Sequence, residues 1–261
     1  MFDYHMHTTV SFDGIGTAKE MAEAALRTGL KEICFTDHWD YHSDPTGQPN
    51  LFSLDDYSRA YDSLIVPGLA IRKGIELGLT EWNVPQLKEI LQKRPFDFVI
   101  GSIHFVDGYD PYDEKYWENK TTEEAFRRFL EGTLACVKIH DDYDVLGHLT
   151  YVCKSVHNPS HKALVYGDYR DIIDEILRIL VQKGKGMEIN SSGVDRAGDF
   201  LPSADILLRF HELGGEIVTI GSDAHAPDRV GQYHKEALEI VKDIFGHVCT
   251  FEGRKAVFHK L

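Results

Sequence analysis

The chain has 261 residues, 43% of them hydrophobic and 27% charged, with a formal net charge of −14 at pH 7. This is the composition of a soluble globular protein with a substantial core, and the length suits one α/β domain over residues 1–261. The acidic balance argues against nucleic acid as a partner, since a phosphate-backbone binder shows a basic face, but it leaves room for a small anionic substrate beside bound cations.

The first predicted element is a strand at 2–7, FDYHMH, in which His5 and His7 stand two apart and so point to one face. A helix follows near 17–28, then a strand at 32–38 (EICFTDH), a long connection at 39–53 and a helix near 54–65. Further on come a strand at 70–79, a helix at 84–93, a strand at 96–104 and a second long connection at 105–120. A helix at 121–140, opened by Thr121 and Glu124 in capping-box spacing, leads to a strand at 143–149 and a helix near 168–183. The last elements are strands at 186–192 and 216–225 with helices near 203–213 and 233–245. Strict alternation predicts parallel strands with helices outside, closed or nearly closed into a barrel.

Four cysteines, Cys34, Cys136, Cys153 and Cys249, form no close pair, which fits reduced thiols in a cytoplasmic protein. The N-terminus carries no signal-peptide pattern, and no apolar run approaches membrane-spanning length, so no membrane partner is expected.

Polar residues fall where the apolar runs stop. They are His5 and His7 on the first strand, His38 on the second, Glu76 on the third, His104 on the fourth, His148 on the fifth, and Asp223 with His225 on the seventh. In a parallel barrel these ends share one face, the one on which active sites are built. Each residue alone has a plainer account: a histidine bonded to backbone, an acid capping a helix, a turn residue. Six of seven strands ending this way favour a metal site instead. Histidine and carboxylate without cysteine point to Zn²⁺, Mn²⁺ or Fe²⁺. With Asp13 in SFDG there are nine candidates, enough for two or three divalent ions, and Glu76 is the candidate bridge because a carboxylate can hold two cations.

These motifs (HMH at 5–7, SFDG at 11–14, TDH at 36–38, GIELG around Glu76, SIH at 102–104, GH at 147–148, SDAH at 222–225) run the full length of the chain. In that order the chain resembles the PHP (polymerase and histidinol phosphatase) family, and within it the stand-alone histidinol-phosphate phosphatases. The resemblance implies a distorted (β/α)7, TIM-like α/β barrel with a trinuclear metal centre at the C-terminal ends of the strands. It implies one ion on His5, His7, Glu76 and Asp223, a second on Glu76, His104 and His148, and a third on Asp13, His38 and His225. It further implies a phosphoric monoester hydrolase of amino-acid biosynthesis acting on histidinol phosphate.

Phosphate-monoester hydrolysis needs an activated nucleophile and neutralisation of the transferring group, which divalent cations supply. Glu76, Asp223 and His225 are the catalytic candidates. Arg196, following the sixth strand, is a candidate phosphate ligand, with Asn190 on the same strand end and Arg229 beyond the last strand as further substrate contacts. His42, in the first long loop, is a candidate for proton transfer. Loop acids including Asp40, Asp44, Asp107, Asp110 and Asp113, with nearby aromatics, could receive a cationic, aromatic alcohol. Other readings are a PHP-type phosphoesterase acting on another phosphomonoester or on a nucleic-acid end, an amidohydrolase, and a non-catalytic metal-binding barrel. No strand end carries the lysine that two-metal amidohydrolases use as a bridge.

Overall fold

The computed structural model describes residues 1–41 and 49–261. Among them the chain runs β1 (Phe2–Asp3), α1 (Ala18–Arg27), β2 (Glu32–Phe35), β3 (His38–Asp40), β4 (Asn50–Leu51), α2 (Leu54–Tyr61), β5 (Ala70–Gly78), α3 (Val84–Lys93), β6 (Phe98–Ser102) and α4 (Glu114–Trp117). It continues as α5 (Thr122–Ile139), β7 (Val145–Leu146), α6 (Arg170–Gln182), β8 (Gly186–Asn190), α7 (Val194–Ala197), α8 (Ala204–Glu212), β9 (Val218–Gly221), α9 (His234–Phe245), β10 (His247–Glu252) and β11 (Lys255–Lys260). Short 3-10 turns fill several connections.

The main sheet has the order β1-β2-β5-β6-β7-β8-β9, and each neighbouring pair is parallel. Its two ends meet. Tyr4 N–H donates to Ile220 O, Asp223 N–H to His5 O and His7 N–H to Ala224 O, at 2.8–2.9 Å, so the expected barrel is nearly closed. All seven predicted strands and seven predicted helices have their counterparts, and α1 and α5 open with capping boxes, Thr17 with Glu20 and Thr121 with Glu124.

Two departures have physical reasons. The second strand runs on beyond a break at Thr36–Asp37 as β3, which pairs with β5 and turns back antiparallel through β4. After α9 the chain adds an unexpected hairpin, β10–β11, whose Gly253–Arg254 turn has positive φ at both residues, the conformation that matches strand twist. Cys249 and Phe251 of this hairpin pack with Tyr4, Cys34, Phe98, Ile100 and Val145, stopping the end of the barrel opposite the strand C-termini. Burying a side chain such as Phe98 contributes about 1.5–3 kcal/mol. The larger core lies between the sheet and the surrounding helices.

Candidate metal centre

Two buried aspartates shape the loops that carry the first ligands. Asp37 of TDH accepts the N–H groups of Thr8 (2.8 Å) and Ser11 (3.2 Å) and the Ser11 hydroxyl (3.0 Å), with Tyr61 Oη against its other oxygen. Ser11 in turn accepts the N–H of His38 at 2.9 Å. Asp3 accepts the N–H and hydroxyl of Ser222, at 3.0 and 2.6 Å, which fixes the start of SDAH against β1.

The structure brings all nine predicted ligands to the C-terminal mouth of the barrel. Glu76 stands fully buried at the middle: its Oε2 is 3.2 Å from His5 Nε2, 3.5 Å from His7 Nε2 and 2.8 Å from His38 Nδ1, and its Oε1 is 2.9 Å from His148 Nε2 and 3.2 Å from His104 Nε2. Asp223 Oδ1 lies 3.2 Å from His7 Nε2 and 3.6 Å from His5 Nε2. Asp13 Oδ2, nearer the rim, is 3.1 Å from His225 Nε2 and 3.6 Å from His38 Nε2. The His7 ring packs against those of His38 and His225, each 4.1 Å away, and those two rings are 5.6 Å apart.

This donor set fits cations. His5 Nε2 and His7 Nε2 face each other at 3.1 Å, while Glu76 Oε2, His104 Nε2 and His38 Nδ1 are buried without a well-formed hydrogen bond. Lone pairs crowded on a shared point are costly unless a positive charge sits among them. Trios able to share an ion are His5, His7 and Asp223; His5, Glu76 and His148; His7, His38 and His225; and His38, Asp40 and His104. Electrostatics agree with this polarity. Burial would raise the Glu76 and Asp223 carboxyls, yet the surrounding histidines, and Lys154 for Asp223, hold both well below the usual range. Burial, with His225 and His38 alongside, keeps His7 well below its ordinary value.

The centre floors a cleft of about 520 Å³ walled by Phe12, Asp110, Tyr112, Tyr151, Lys154, Ser192, Arg196 and Arg229. Arg196 lies with its guanidinium 5.7 Å from the Tyr112 ring centre. Arg229 also reaches the cleft, but its Nη2 donates to Asp195 at 2.6 Å. Asn190 does not reach the cleft: it is fully buried, donating to Glu188 (3.1 Å) and accepting from Ser192 N–H (2.9 Å) and hydroxyl (2.6 Å). Ser192 takes its place on the wall. His42 and Asp44 lie outside the described residues.

Three residues beside these ligands do not stand out as such in the sequence. Lys154 is buried, with its Nζ 2.5 Å from Asp223 Oδ2, 3.1 Å from Ser192 Oγ and 4.9 Å from the Tyr151 ring centre. Glu188 backs His5, and Asp40, foreseen only as a loop acid, lies 3.1 Å from His104 Nδ1. A lone lysine after YVC and a lone acid inside GMEIN carry no distinctive spacing; the one available signal was a charge inside an otherwise apolar run.

Comparison with known proteins gives consistent matches. The PHP domain model matches residues 3–192. The histidinol-phosphatase of Lactococcus lactis subsp. lactis (strain IL1403) is 32% identical over 259 residues, covering 97% of this chain and 95% of that protein. A Clostridium acetobutylicum protein named "Probable histidinol-phosphatase" is 31% identical over 256 residues, covering 97% and 98%. The crystal structure of histidinol phosphate phosphatase from Lactococcus lactis subsp. lactis, complexed with zinc, L-histidinol and phosphate, superposes with a TM-score of 0.87 at 29% identity, covering 98% of each chain.

Proposed function

The chain belongs to the PHP-domain family, and on that premise we propose that it is a histidinol-phosphatase, hydrolysing L-histidinol phosphate to L-histidinol and phosphate with two or three divalent cations, Zn, Mn or Fe, in one domain spanning residues 1–261. The observation that carries this reading is the convergence of nine histidine and carboxylate side chains, Glu76 at their middle, at the foot of a cleft whose wall carries Lys154, Arg196 and Arg229. His5, His7, Asp13, His38, Glu76, His104, His148, Asp223 and His225 hold the cations. When bound, these supply an activated water and offset the charge of the phosphoryl group.

The chain's own side chains do the remaining work. Lys154 places a buried point charge beside Asp223, and Arg196 and Arg229 reach in from the rim, so a phosphate entering the cleft meets cations on its solvent side as well. Ser192, whose Oγ lies 3.1 Å from Asp223 Oδ2, stands on the same wall. Asp110 lines the cleft among aromatic rings, accepting Tyr112 N–H at 2.8 Å, and is the acid placed to receive the substrate ammonium; Tyr112 and Tyr151 give the imidazole an aromatic face. The acidic chain supports a small substrate over nucleic acid. No helix among the described residues is long and apolar enough to cross a membrane, and four buried free thiols support a reducing, cytoplasmic setting.

The test is phosphate release from L-histidinol phosphate by metal-loaded protein, beside sugar phosphates and a simple phosphodiester, with elemental analysis of the same sample and of Glu76→Ala. The expected result is a strong preference for L-histidinol phosphate, two or three metals per chain, and a folded E76A protein that loses metal and orders of magnitude of activity. Full activity in metal-stripped E76A would overturn the mechanism; metal without the preference would overturn the substrate.

A further inference from the structure

Glu188 sits inside the apolar run of β8 and is 1% exposed, so its carboxylate is costly unless hydrogen bonds satisfy it. They do, from three partners. Oε1 lies 2.7 Å from His5 Nδ1, while Oε2 accepts the backbone N–H of His148 at 2.8 Å and the Asn190 side-chain amide at 3.1 Å. The neighbouring strand leaves the space for it: a Cβ on Gly221 would stand 2.0 Å from Oε1 and 2.5 Å from the His5 Cβ, so only glycine fits there.

An imidazole has two nitrogens, and a neutral ring can offer a lone pair from only one. With Nδ1 held against the carboxylate, His5 carries its hydrogen there and turns a bare Nε2 toward the centre, where Glu76 Oε2 stands at 3.2 Å and His7 Nε2 at 3.1 Å. We propose that Glu188 is a positioning residue of the metal centre, fixing His5 as the Nδ1–H tautomer so that Nε2 is the cation ligand. It works from behind His5 and does not line the cleft. His104 shows the same arrangement: its Nδ1 faces Asp40 Oδ1 at 3.1 Å and its Nε2 faces Glu76 Oε1 at 3.2 Å. Carboxylate partners of this kind orient ligating histidines and raise their basicity. The inference rests on the metal reading given above.

Glu188→Gln keeps the volume and changes the hydrogen bonding. Two donors, the His148 N–H and the Asn190 amide, face the Oε2 position, so the glutamine oxygen settles there and its NH2 faces His5. The ring must then accept at Nδ1 and carry its hydrogen on Nε2, where it cannot ligate. Zinc affinity, read by competition with a chromophoric chelator, should fall about 10- to 100-fold in E188Q, with far-UV circular dichroism and the metal-free melting temperature unchanged. His5→Ala is measured alongside. Loss of zinc in H5A with wild-type zinc binding in E188Q would overturn the role of Glu188 alone, whereas wild-type zinc binding in H5A would overturn the metal reading itself. A measurement on the wild-type chain stands apart from any folding defect: ¹⁵N histidine spectra of the zinc-loaded protein should show His5 with hydrogen on Nδ1, and the opposite tautomer would refute the proposal.

Discussion

Lys154→Met removes the buried ammonium that sits 2.5 Å from Asp223 while leaving a side chain of similar length to pack under Tyr151. If Lys154 meets the phosphate, the loss is one charge-assisted contact, about 1.5–3 kcal/mol, or roughly 10- to 150-fold in kcat/KM. Burial opposes the charge on this lysine, but Asp223 more than offsets it and holds the ammonium protonated well above the neutral range, so the loss should be the same across pH 6–9. The assay is kcat/KM for L-histidinol phosphate with metal content measured on each preparation. A value within threefold of wild type would refute the phosphate contact. A fall matched by metal loss would show instead that the lysine acts only by orienting Asp223.

Asp110→Asn should raise KM for L-histidinol phosphate about 5- to 30-fold, from about 1–2 kcal/mol in an open cleft, with kcat little changed. KM for an uncharged aryl phosphate should stay put, and equal losses on both substrates would exclude an ammonium contact. Asp174 of α6 is tied to α8 by Arg209 (2.8 Å) and held within its own segment by Arg178 (2.8 Å) and Tyr166 Oη (2.6 Å), and the Arg209 contact leads in lowering its pKa to about 2 from 3.8. A carboxyl whose folded pKa is depressed stabilises above its unfolded value and loses that contribution as pH falls, here between about pH 4 and 2. Asp174→Asn should therefore cost about 1–2 kcal/mol near neutrality, after allowance for solvent screening, and the gap in urea midpoint should close on acidification; a gap independent of pH would contradict this.

The centre was legible because its chemistry demands residue types that apolar strands do not otherwise end on. His38, His104 and His148 each follow a buried run, and the parallel topology alone brings them together. Residues acting from behind were not legible. Glu188 is one acid in a five-residue strand, and its meaning lies in contacts with His5 and Gly221, distant in sequence. Asn190 ends a strand, which points to the substrate, but the side chain turns inward to Glu188 and leaves the cleft to Ser192. The β10–β11 hairpin lies beyond the seventh strand–helix unit and lacks the polar–apolar alternation of a half-buried strand, and only the packing of Phe251 against Tyr4 and Phe98 gives the extra strands their purpose.

The seam between β1 and β9 has a thermodynamic consequence. Its hydrogen bonds join residues more than 200 positions apart, so closing the barrel costs more chain entropy than any pairing of adjacent staves. His5 and His7 lie on one side of that seam and Asp223 on the other, within 3.6 Å. A cation shared by them would act as a clasp, adding bonds that only the closed barrel can make and so opposing its opening by mass action. Metal supply would then govern how long the molecule survives as well as how fast it turns over: in scarcity the first and last staves would part first, and amide exchange along Tyr4–His7 would report it.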